Sequence, residues 1–131
     1  KYQSYGAEYN GTMQLENDCV TIEFGNAYET DVRGVRAFTF EENGVVLKDA
    51  FEKQSGKVCV TERFVSMIKP EVKADGVWIE NLRLTASDGW RIKVTEESFS
   101  DHFAVQRAIY LIDFETEAGQ QLGFELQMEL L

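Results

Sequence analysis

The sequence predicts an all-β chain: an antiparallel β-sandwich of about ten strands with little or no helix. Three observations predict it. Apolar residues recur with period two along most of the chain, as strands with one face on a core and one in water require. Asx-Gly pairs fall between these runs, where tight turns join antiparallel strands. Only one short stretch has helical spacing, which leaves many strands and no helical layer.

The elements follow in order. Strands are expected at 12–16 and 18–24, where Val20, Ile22 and Phe24 alternate with Thr21 and Glu23. In 34–41, Phe38 and Phe40 flank Thr39, and Asn43-Gly44 turns the chain into 44–52. The longest run, 57–68, sets Val58, Val60, Phe64 and Ile68 on one face and ends before the lone Pro70, where a missing N–H costs least. Asp75-Gly76 precedes strands at 77–80 and 82–86, and Asp88-Gly89 precedes 90–95, where Trp90, Ile92 and Val94 alternate with Arg91, Lys93 and Thr95. The last pair is 107–116 and 120–130, the latter alternating from Leu122 through Phe124, Leu126 and Met128 to Leu130. Asn10-Gly11, Ser55-Gly56 and Ala118-Gly119 are weaker breakers. Between Glu96 and Ala108 the spacing of Phe99 and Phe103 leaves both a short helix and a loop open.

At 131 residues, 44% apolar and 27% charged, the chain has the size and composition of one ordinary domain, 1–131. It begins at Lys1 and stops after the apolar-rich run 126–131, so it is expected to be a piece of a longer polypeptide. Nothing approaches the roughly 18 consecutive apolar residues of a membrane span. Lys and Arg total 13 against 23 Asp and Glu, a net charge of −10. That excludes a free-standing nucleic-acid binder, which needs a basic footprint to displace counterions. Cys19 and Cys59 belong to no CxxC pair and are expected as two free thiols on neighbouring strands.

Candidate chemistry is sparse. His102 is the only histidine. An acid–base pair with Asp101 is disfavoured, because adjacent strand residues point to opposite faces. Paired carboxylates flanking a sugar bond would suit a glycosidase. Yet Glu23, Glu125 and Glu129 alternate along solvated faces, and Glu41 and Glu42 sit in a turn. Calcium would need oxygens converging from loops. Glu29, Asp31, Glu41 and Glu42 lie near strand ends but have no EF-hand spacing. Trp78, Trp90 and the tyrosines Tyr2, Tyr5 and Tyr9 are the candidates for stacking on sugar rings in a carbohydrate-binding module. Trp90 belongs with the core face, and Trp78 with the exposed one. Arg36 and Arg63 interrupt apolar strands and must be paired or exposed, with Glu62 or Asp49 as partners. No credible Ser/His/Asp set and no Gly-rich phosphate loop occur.

Read in order, several phrases carry a resemblance: Gly6-Ala7-Glu8-Tyr9, Asn26-Ala27-Tyr28, Arg36-Ala37-Phe38-Thr39-Phe40, Asp49-Ala50-Phe51, and Thr61-Glu62-Arg63-Phe64-Val65-Ser66 with Lys69-Pro70. Together they resemble the C-terminal β-sandwich region of heparinase II/III-like proteins, a group of polysaccharide lyases and relatives. The resemblance covers nearly the whole chain and is strongest from Tyr5 to Pro70. It implies a sandwich that follows a helical toroid, in lyases that remove a proton α to a uronate carboxyl and eliminate the glycosidic oxygen. The family's Tyr and His acid–base residues lie in the toroid and early sandwich, and no position here matches them. Tyr9 and Tyr28 fall in structural phrases, and the zinc site of some members needs more histidines than His102. The resemblance therefore implies no catalytic, metal or cofactor residue in this chain. It implies preceding domains of the same polypeptide as partners, with acidic polysaccharide reached through them, and an extracellular or periplasmic location if the whole protein is a secreted lyase. The charge agrees with a supporting role. A surface at −10 repels a polyanion except where positive groups gather, as at Lys69 with Lys73 and Arg91 with Lys93.

Overall fold

The computed structural model describes residues 12–23, 31–117, 119 and 121–131. Phe24, Glu29, the N-terminal tyrosines, Asn10-Gly11 and the phrases Gly6-Ala7-Glu8-Tyr9 and Asn26-Ala27-Tyr28 lie outside them. The described residues form strands and turns without helix. The strands are β1 Thr12–Glu16, β2 Cys19–Glu23, β3 Val32–Glu41, β4 Gly44–Lys53, β5 Thr61–Ser66, β6 Glu71–Lys73, β7 Gly76–Ile79, β8 Leu82–Ala86, β9 Arg91–Ser100, β10 Gln106–Glu115 and β11 Gln121–Leu130. Every pairing is antiparallel. One sheet has eight strands in the order β1-β2-β3-β4-β11-β8-β7-β6, and the other has three, β5-β10-β9.

The core lies where the small sheet covers the middle of the large one. Leu47 of β4, Phe124 and Leu126 of β11, Leu84 of β8 and Val77 of β7 meet Ile112 and Phe114 of β10. All seven are buried, and Phe38, Phe64, Trp90 and Val94 pack around them. Period two explains the selection. Leu47 stands opposite Phe38 on one side and Leu126 on the other, so all three point to the same layer. The aromatics interlock edge to face, with Phe64 and Phe114 ring centres 5.8 Å apart and Trp90 and Phe124 4.8 Å apart. The Trp90 indole N–H donates to the Gly123 carbonyl at 3.0 Å, so the half-buried ring packs against the core with its polar atom satisfied.

Several expected boundaries shift. The run 57–68 is a strand only over Thr61–Ser66, and Val58 joins instead a single bridge to Gly119. An eleventh strand, β6, pairs Glu71 with Trp78 and Lys73 with Gly76. The open stretch 96–108 is neither helix nor simple loop. β9 runs on to Ser100, and a turn at 101–105 leads into β10. Asp101 locks that turn, accepting from the backbone N–H of Phe103 and Val105 at 2.9 and 3.0 Å and from Arg107 Nε at 2.7 Å. The Phe99–Phe103 spacing thus straddles a hairpin tip. The two thiols are free, but they are not neighbours in one sheet: Cys19 opens β2 and Cys59 precedes β5.

Gly89 meets the sequence expectation, with φ +87 at its turn. Gly44 does not have positive φ, and its need for glycine has another source. A Cβ there would collide with the Met128 carbonyl oxygen of β11, so only a bare backbone permits this approach. Gly44→Ala is expected to cost about 1–3 kcal/mol, the range of overpacking. The effect is read as a lower urea midpoint, and an unchanged midpoint would show that β4 and β11 part freely at that end.

Candidate functional site

Charged residues on apolar strands must find partners, and Arg36 finds its partners between the layers. Arg36 stands opposite Asp49 across the β3–β4 ladder. Its Nε donates to Asp49 Oδ1 at 2.8 Å and its Nη2 to Asp49 Oδ2 at 2.6 Å, a fork-on-carboxylate pair. The same Nη2 reaches across to the small sheet and donates to Glu62 Oε2 of β5 at 2.9 Å. Both carboxyl groups are buried, while the arginine side chain is 32% exposed. Glu62 Oε1 is buried without a hydrogen-bond partner among the described residues.

Burial is the main force on Glu62. Together with the nearby negative charge of Asp49, and against the pull of Arg36, it raises the carboxyl from an ordinary 4.5 to about 8. The folded chain therefore keeps a proton on Glu62 that the unfolded chain releases near the ordinary value. This proton's contribution to stability is fully present below about pH 4.5 and drains away as pH rises to about 8. Glutamine mimics the protonated acid: it can accept from Arg36 and donate to Asp49. Glu62→Gln is expected to match the parent chain at pH 4.5 and to exceed it increasingly up to pH 8, by on the order of 2–4 kcal/mol. Urea midpoints at pH 5, 7 and 9 check this, and parallel curves would remove Glu62 as the titrating group.

This is the one place among the described residues where two acids meet and one is strongly shifted, as a glycosidase pair would require. Its position argues for structure. The two acids face each other across the packed interior, and an arginine shared by both joins the two sheets. A groove of about 790 Å3 is lined by residues that include Arg33, Val35, Ala50, Glu52, Gln121 and Gly123, and neither Asp49 nor Glu62 lines it. What the cluster can do chemically is hold one proton and one cation between the sheets.

The other sequence candidates are dispersed. Arg63 pairs with neither Glu62 nor Asp49. Its Nε and Nη2 donate to the two oxygens of Asp113 on β10, at 2.8 and 2.9 Å, and this holds the Asp113 carboxyl below its ordinary range. Asp113 was not a candidate partner, yet it interrupts the apolar run 108–114 as Arg36 interrupts its own, and the same rule applied there would have found it. Arg91 and Lys93 lie opposite Glu115 and Asp113. His102 stacks on Phe103 at 4.3 Å, while Asp101 is engaged with Arg107, so the two form no acid–base pair. Asp31 accepts from Ser55 Oγ at 3.2 Å, and no group of three metal-binding side chains occurs among the described residues.

Trp78 lies on the opposite side of the large sheet from Val77. Its indole N–H donates to Asp75 at 2.9 Å, and its ring centre is 5.0 Å from Lys73 Nζ and 5.6 Å from the Arg83 guanidinium. These cations engage the π-system that a sugar would use. Trp90, packed on Phe124, lies in the core, so the two tryptophans share no platform.

Comparison with known protein families and with curated proteins returns no match to this chain. No helix among the described residues is long and apolar enough to cross a membrane.

Proposed function

We propose that the chain is the accessory C-terminal β-sandwich of a heparinase II/III-like polysaccharide lyase, non-catalytic on its own and supporting the lyase fold through contact with the preceding domains. The observation that carries this reading is the mismatch of the layers. Among the described residues eight strands form one sheet and three the other, and the layer-facing side of the large sheet carries exposed apolar residues. On the layer-facing side of β1 and β3, Met13, Leu15 and Phe40 are 69%, 72% and 51% exposed. A face of that kind suits a domain that packs on another.

A second observation supports the same reading. Three of the phrases that carry the resemblance meet in space, because Arg36, Asp49 and Glu62 each come from a different one and together form the interlayer cluster. The phrases then mark how two sheets are joined, which is what structural phrases should mark. The chemistry of the lyase belongs to the preceding domains in this reading, and acidic polysaccharide reaches the protein there.

The test is the absorbance of unsaturated uronate released from heparan sulfate and alginate. The 131-residue chain alone is expected to release none, and the longer polypeptide containing the preceding domains is expected to release it. Turnover by the chain alone would overturn the non-catalytic role. Silence of the longer polypeptide on both polymers would remove the lyase assignment for these substrates.

A further inference from the structure

The small sheet stops short on a particular side. Glu62 of β5 contacts Arg36 of β3, whereas Phe114 of β10 contacts Phe124 of β11, 5.5 Å between ring centres. Passing from β10 to β5 therefore moves across the large sheet toward β3, and one step further lies over β2 and β1. Their layer-facing residues are Val20 and Ile22, opposite Leu15 and Met13. This apolar strip continues the interlayer core itself.

Among the described residues no strand pairs with the edge of β5 that borders the strip. Thr116 N–H donates to the Val60 carbonyl at 3.3 Å, which makes 60 and 116 a hydrogen-bonded pair. By alternation, Glu62 and Phe64 bond to β10, and the backbone groups of Thr61, Arg63 and Val65 point away from it. Among the described residues β5 has no second neighbour. An unpaired backbone edge beside an uncovered apolar face is the geometry of strand addition.

Charge decides the occupant. Glu16, Asp18, Glu41 and Glu42 crowd one end of the strip, at the β1–β2 and β3–β4 turns, with no basic residue among them. A second copy would bring the same acids and another net charge of −10. We infer that the β5 edge and the β1–β3 face form one docking surface for a β-strand of a neighbouring domain, apolar at alternate positions and basic at the end that lies over these turns. The strand adds to the small sheet beside β5 and covers Met13, Leu15, Val20 and Ile22. This rests on the accessory-domain reading and names the surface through which that role is exercised.

Amide hydrogen exchange on the chain alone and on the longer polypeptide tests it. In the chain alone, the amides of Thr61, Arg63 and Val65 are expected to exchange at least about tenfold faster than those of Glu62 and Phe64. In the longer polypeptide they slow by about a hundredfold or more. Val65→Pro, which deletes an outward N–H and leaves the β10 bonds in place, and Ile22→Lys, which charges the face, each abolish that slowing. Protection already present in the monomeric chain, or absent in the longer polypeptide, overturns the inference. Protection that grows with concentration alongside a dimer mass assigns the surface to a second copy and overturns the choice of occupant. The same two-domain sample is assayed for uronate release. A protected edge without turnover leaves the docking surface standing and removes only the lyase reading.

Discussion

Arg36→Met is expected to destabilise the chain by roughly 3–5 kcal/mol, the range for breaking one side of a buried charge cluster. The loss comes less from the missing attraction than from what stays behind. Asp49 and Glu62 remain side by side in the interior without the guanidinium that bonded both. Because a domain of this size holds about 5–15 kcal/mol in all, a large share of its stability is at stake. A triple variant separates the two explanations. Arg36→Met, Asp49→Leu and Glu62→Met together replace the cluster by apolar groups of similar volume, and stability is expected to return to within about 1–2 kcal/mol of the parent chain. Denaturant unfolding of both proteins at pH 7 measures this. A single variant as stable as the parent would show that the cluster contributes nothing to joining the sheets.

Phe114→Ala is expected to cost about 3–5 kcal/mol. The side chain is fully buried at 0% exposure, and its ring touches Phe64 of its own sheet and Phe124 of the opposite one. Removing it leaves a cavity between two sheets whose strands are each held by backbone pairing, so the site collapses only partly. Calorimetry or urea titration gives the number. A loss under about 1 kcal/mol would mean that the layers close over the gap. Because Phe114 stands directly opposite Glu62, which Arg36 bonds, the two effects are expected to couple rather than add.

The two sets of side chains differ in how readable they were from sequence. Strands such as β3, β4 and β11 were legible because one face is buried and the other wet, which writes period two directly into the residues. β6 was not legible, because Glu71-Val72-Lys73 is too short to show alternation. The continuation of β9 to Ser100 was hidden by Phe99 and Phe103, whose spacing of four mimics a helix while the chain turns back on itself. The division into eight strands and three was beyond reach, since periodicity gives each strand a face but no neighbour. The ionic cluster was half legible. Residue types alone showed that Arg36 and Arg63 need partners and nominated Asp49 and Glu62. Which arginine takes which acid depends on register, and register assigned both acids to Arg36 and gave Asp113 to Arg63.

The place of β11 has a consequence for how the chain is made. It lies in the middle of the large sheet, between β4 and β8, and its register ties Leu126 to Leu47 and Ala86. Every other described strand leaves the ribosome before it. Until Gln121–Leu130 emerges, the large sheet exists only as two separate halves, β1 to β4 and β6 to β8, with their apolar faces unsupported. Joining β4 to β8 is therefore a late, slow, long-range step that waits on the ten residues of β11. A ribosome paused before residue 121 displays an aggregation-prone chain, and a stop codon there gives no shortened domain but an unfolded one.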